Sequence, residues 1–97
     1  MKISEYKKLI QEHKFFEAHE ALEEFWFPRR KDKTKEVLIV KGFINAAVSF
    51  ELKKRGRVEN SKKVWQVYIK FSKLIESTDV DFQELKKFIE NFAKSYL

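Results

Sequence analysis

Cysteine is absent from the 97 residues, which excludes disulfides, thiolate catalysis and thiolate metal sites. Only two glycines and one proline occur, so forced breaks in the chain are few. No glycine-rich phosphate loop or dinucleotide fingerprint is present, and no motif calls for a cofactor. Serine nucleophile motifs are also missing, as is the strict apolar/polar alternation of half-buried strands. No stretch approaches ~18 uncharged apolar residues, and the opening "MKISEYKKLI" lacks the long apolar run of a signal peptide. The expectation is a cytoplasmic protein without membrane contact.

What the chain has in abundance is large apolar side chains: ten Phe, three Tyr and two Trp within a 43% apolar composition. That is too rich for disorder. The length suits one domain over residues 1–97, burying roughly 60 to 70% of its unfolded surface. The expected fold is all-α: a compact bundle of four to five antiparallel helices around a central apolar helix.

The punctuation places the helices. Ser4 is the expected N-cap of a first helix that ends near Glu12, with His13 and Lys14 as a tight corner or a kink. A second helix runs from Lys14 to Phe27, where Pro28 stops it, and residues 29–34 form a charged loop. A third, Lys35 to Arg55, contains "EVLIVKGFINAAVSFEL" and is apolar around most of its circumference, which suits the centre of a bundle. Gly56 after "KKR" fits a left-handed stop. A fourth helix, residues 58–76, carries Val64, Val67, Tyr68, Phe71, Leu74 and Ile75 on one stripe. After the turn "STDVD", Asp81 and Glu84 read as an acidic capping box opening a fifth helix through Tyr96.

Formal charge is +6, mostly lysine spread along the chain, with one cluster in "RRKDKTK" at residues 29–35. Nucleic acid is the less favoured partner, because no reading element accompanies the basic residues. A solvated lysine-rich surface explains them as well.

Chemistry concentrates in "FFEAHEALEEFW", residues 15–26. At ~100° per residue, Phe15, His19, Leu22, Glu23 and Trp26 share one arc with Phe16 at its edge, while Glu20 lies further round. His19 and Glu23, one turn apart, therefore project side by side from an apolar face. A buried carboxylate needs a partner, a proton or a wet cavity. The third helix offers one polar stripe, Lys41, Asn45 and Ser49. A polar seam or ligand site is thus expected around His19, Glu20, Glu23, Trp26, Lys41 and Asn45. "HEALE" is reminiscent of His-Glu-x-x-His zinc helices, but Glu23 replaces the second histidine and further ligands are missing, so no metal is assigned. His13 points away from His19. If the site is an enzyme's, His19, Glu20 and Glu23 are the catalytic candidates, in metal-dependent or acid–base hydrolase-like chemistry. A core role is expected for Trp26 and Trp65. Phe25, Phe27 and Pro28 beside the basic cluster form a patch for an acidic, amphipathic partner or a second copy of the chain.

At these residues the sequence resembles a family of small helical proteins catalogued as domain of unknown function 309. Phe16, His19, Glu20, Leu22, Glu23 and Trp26 match its aromatic-x-x-His-Glu-x-Leu-Glu-x-x-Trp segment. Gly42, Ile44, Ala47 and Gly56 are similar to its Gly-Leu-Ile-Gln-x-Ala-Ala helix and the glycine after it. Lys41 and Asn45 stand where the family commonly has glutamine. The resemblance implies a helical bundle and brings no activity with it. A non-enzymatic binding or assembly module is therefore the favoured expectation, acting as a homo-oligomer or on an unknown protein or small-molecule partner.

Overall fold

A helix that is apolar on nearly every side is satisfied only at the middle of a molecule. The computed structural model describes residues 1–97 and puts the third helix there. The elements are α1 (Ile3–Gln11), α2 (Phe15–Trp26), a 3-10 turn (Phe27–Arg29), α3 (Lys35–Lys54), α4 (Val58–Ser72) and α5 (Val80–Tyr96), with no strand. α3 contributes ten buried residues, more than any other helix. It packs chiefly against α2 and α4, and α1 packs on α2. No helix is long and apolar enough to cross a membrane.

The approach of α4 to α3 depends on Gly42. A Cβ built there would meet the Phe71 Cβ at 3.0 Å and the Tyr68 carbonyl oxygen at 3.7 Å. Both partners belong to the α4 backbone or its first side-chain atom, so a larger residue could not be accommodated by a rotamer change. Ser61, itself buried, donates to the carbonyl of Ser49 at 2.7 Å and fixes the other end of this contact. α5 closes the remaining side through aromatic rings. Phe92 and Tyr96 pack on Phe15 and Phe50 with centroids 5.0–5.9 Å apart, and Phe82 stacks on Phe43 at 6.2 Å.

Two helix ends use the same stop. After α3, Gly56 has φ +80°, with its amide bonded to Lys53 and that of Arg57 to Leu52. This is the left-handed stop foreseen from the glycine. After α1 the identical pattern of bonds, His13 to Ile10 and Lys14 to Leu9, is made by a histidine at φ 59°. The corner is therefore tight. His13 is held there by stacking on Phe15 at 5.3 Å and by the Lys54 ammonium, which donates to its carbonyl at 2.9 Å.

Several boundaries differ from the sequence reading. Ser4 lies inside α1, whose N-cap is Lys2, without a side-chain capping bond. α2 stops ahead of Pro28 as expected, at Trp26, but a 3-10 turn comes before the charged loop. Pro28 sits at the start of that turn, where its missing amide is not required. α3 is capped by Thr34, whose hydroxyl accepts from the Val37 amide at 3.4 Å. α4 ends at Ser72 rather than residue 76. Asp81 is already within the first turn of α5, and the N-cap is Asp79. The Asp79 carboxylate makes no cap bond because it is committed elsewhere: it accepts from the Glu76 amide at 2.9 Å and from the Lys35 ammonium at 2.9 Å.

Two buried phenols complete the interior. Tyr6 donates to the Phe43 carbonyl at 2.6 Å, joining α1 to α3, and Tyr68 donates to Glu90 at 3.0 Å, joining α4 to α5. Burial holds both phenols above their ordinary pKa, with the Glu90 carboxylate adding to the effect at Tyr68. They remain protonated donors. No buried side-chain polar atom lacks a partner.

Two outcomes follow from these contacts. Gly42→Val should lower stability by about 2 kcal/mol through overpacking, read as a lower urea midpoint. An unchanged midpoint would contradict the close α3–α4 approach. The Glu76 amide and then the Lys35 ammonium hold the Asp79 carboxyl below its usual range. A depressed carboxyl stabilises the folded state above the ordinary carboxylate range, and this is lost as pH falls through the lowered pKa. The difference in thermal midpoint between the native chain and Asp79→Asn should therefore be largest near neutrality and shrink in acid.

Candidate functional site

The inward face of α2 is set by its alanines as much as by its large residues. Phe15, Ala18 and Leu22 are completely buried and Ala21 nearly so. Small side chains at 18 and 21 let neighbouring helices press closest on that side of α2. The buried arc is accordingly turned away from His19 and Glu23, whose side chains keep 20% and 35% of their exposure. The pair lies at the rim of the core, not inside it.

His19 and Glu23 do meet: Nε2 is 3.0 Å from Oε2. The other ring nitrogen, Nδ1, is 3.2 Å from the Phe16 carbonyl oxygen. Both nitrogens thus face oxygen acceptors. An imidazolium donates to both, whereas a neutral ring facing an ionised carboxylate leaves one contact without a proton. Around them, Phe15, Phe16, Val48, Glu51, Leu52 and Arg55 join His19 in lining a cleft of about 240 Å³ between α2 and α3. Phe16 is half exposed, at 51%. On the α3 side, Arg55 donates to Glu51 at 2.6 Å. The cleft therefore has apolar walls, with the Glu51–Arg55 pair on one side and His19, paired with Glu23 outside the lining, on the other.

The remaining members of the expected seam are not bonded to this pair. Asn45 donates to the carbonyl of Lys41 at 2.8 Å, and Ser49 to that of Ala46 at 2.8 Å. Short polar side chains in a helix can satisfy themselves on the preceding turn, which removes the need for a partner across the interface. The Lys41 ammonium lies 5.6 Å from the ring centroid of Phe71, on the α4 side. No hydrogen bond or ion pair joins Lys41 or Asn45 to His19 or Glu23, and the cleft beside the pair is lined by α3 residues further along. Glu20 is exposed and lines a separate depression between α1 and α2, with Lys2, Glu5, Lys14, Glu17 and Glu24. Trp26 is half-buried and packs against the core, as does Trp65. No group of three or more His, Asp or Glu side chains is placed to hold a metal ion. His13 belongs to the aromatic cluster with Phe15, Phe92 and Tyr96.

In the basic loop, the guanidinium of Arg29 lies 4.1 Å from the centroid of Phe25, and that of Arg30 3.9 Å from Phe27. Each also donates to the carbonyl of the ring it covers. The arginines thus shield the two phenylalanines, although Phe27 keeps 54% exposure. The sequence reading did not anticipate Val48, Glu51, Leu52 and Arg55. They recur at three- and four-residue spacing near the end of a helix that is apolar around most of its circumference, so no feature of the sequence sets them apart from its core positions.

Residues 3–64, more than half of the chain, match the family model described as Domain of unknown function (DUF309). No curated protein and no solved structure matches the chain. The chain belongs to the DUF309 family, and the α2–α3 cleft lies wholly within the matched residues.

The exposure of the His19–Glu23 pair sets its energetic weight. A double-mutant cycle with His19→Ala and Glu23→Ala, followed by chemical denaturation at neutral pH, should give a coupling of about 0.3 to 1 kcal/mol. A coupling several times larger would show a desolvated pair and contradict the rim position.

Proposed function

We propose that this family member, with residues 1–97 acting as one antiparallel helical-bundle domain, is a non-enzymatic binding or assembly module whose contact face follows the α2–α3 cleft. The observation that carries this reading is the pairing of the cleft's charges beside an exposed apolar wall. His19 with Glu23 and Arg55 with Glu51 are already matched, while Phe16, Val48 and Leu52 retain accessible surface. Catalysis asks for an acid, base or nucleophile free to meet a substrate. Recognition asks for apolar anchors inside a polar rim, and this cleft has both.

A second copy of the chain is the first occupant to consider. Phe16 stands on the lip of the cleft that would receive its counterpart, so a two-fold axis at this face would seat each ring against the other copy's Val48 and Leu52. Such a self-complementary patch is the commonest route to a symmetric dimer. The paired charges at the rim would fix register while adding little affinity.

Sedimentation velocity across a concentration series tests this. The native chain should dimerise reversibly, and Phe16→Glu and Val48→Glu should each be monomeric with unchanged far-ultraviolet circular dichroism. A native chain that remains monomeric up to about 1 mM, a weak-affinity limit, would remove self-assembly through this face.

A further inference from the structure

A second cleft, of about 400 Å³, opens between α4 and α5 on a different part of the surface. Its apolar walls come from Val58, Trp65, Ile69, Ala93 and Leu97. Small residues explain why it stays open: Ser61 and Ala93 stand where longer side chains would fill the gap between the two helices. The walls are tied together below. Tyr68 donates to Glu90 across the two helices at 3.0 Å. Trp65 is braced by Phe50 and Tyr68, with centroids at 5.7 and 4.7 Å. The indole therefore presents a supported surface to the opening.

The charge around the opening is lopsided. Lys53, Lys62 and Lys94 line it, opposed by the Glu90 side chain that already accepts from Tyr68. Lys62 has a loose partner in exposed Glu59 at 3.7 Å. Lys53 and Lys94 form no ion pair with any carboxylate side chain of the chain, and Lys53 is half-buried. Unpaired ammonium groups beside an apolar slot are matched by an anionic headgroup on an apolar body. The volume falls in the range of small-molecule sites.

We propose that the α4–α5 cleft binds a small amphiphilic anion, a medium-chain carboxylate being the simplest form, with its apolar tail along Trp65, Ile69 and Ala93 and its carboxylate between Lys53 and Lys94. This site shares no residue with the α2–α3 cleft and is independent of the assembly role assigned there. Ionic contacts at the mouth are partly exposed, so they select charge and orientation, whereas burial of the tail provides most of the affinity.

Calorimetry with decanoate and with decanol, both below their aggregation or solubility limits, tests the site on the full chain. Decanoate should bind saturably at one site per chain, and decanol about tenfold more weakly. Lys53→Glu combined with Lys94→Glu, with unchanged far-ultraviolet circular dichroism, should weaken decanoate by about tenfold or more while leaving decanol unchanged. Ala93→Phe should block both ligands. In nitrogen-detected correlation spectra, the Trp65 indole resonance should move on titration and the Trp26 resonance should not. Absence of saturable decanoate binding, equal affinity for decanol, or indifference to the double charge reversal would each overturn the proposal. Binding of an acidic amphipathic peptide without decanoate binding would also overturn it, in favour of a protein ligand.

Discussion

Gly42 sets the distance between the central helix and α4, and much of the molecule is arranged by that distance. With the Phe71 Cβ only 3.0 Å from where a side chain would begin, α4 lies close enough for buried Ser61 to reach the Ser49 carbonyl and for Tyr68 to enter the core beside Phe43. Tyr68 then offers its phenol to Glu90, which gives α5 a polar anchor in addition to its aromatic ones. Both clefts are secondary to this arrangement. One lies where α2 meets the less buried strip of α3, the other between α4 and α5 beside the Tyr68–Glu90 tie.

The fold class was legible because its signals are strong and redundant. Long 3.6-residue periodicity, a helix apolar on nearly every side and a glycine after a basic run all agree with five helices. Boundaries were less legible where a side chain had two possible uses. Asp79 and Asp81 are two residues apart in the same turn, and sequence spacing favoured the one with a glutamate three residues on. The helix starts at the other, whose carboxylate makes no cap bond and instead pairs with Lys35, 44 positions away, a bond no local pattern reveals. Ser4 shows the converse: a good capping residue is left inside a helix that starts earlier.

The candidate site was legible as a pair but not as a surrounding. One helical turn dictates that His19 and Glu23 are neighbours, and they are. Their depth was misjudged because a helical wheel gives the eye to phenylalanine and tryptophan, whereas Ala18 and Ala21 mark where helices come closest. Asn45 and Ser49 looked like groups in need of partners and instead bond to their own helix. The α4–α5 cleft had no sequence signature at all. It comes from small residues on two helices that meet only in three dimensions.

The succession of packed helices also bears on how the chain reaches this state. α1 with α2, α2 with α3 and α3 with α4 are all consecutive neighbours, so most of the interior can assemble with little loop entropy to overcome. Only α5 must come back across the molecule to meet Phe15 and Phe50 near its end. The segment through α4 can therefore collapse during synthesis while the last helix is still emerging, leaving the aromatic slot around Phe50 briefly open to whatever else is apolar nearby.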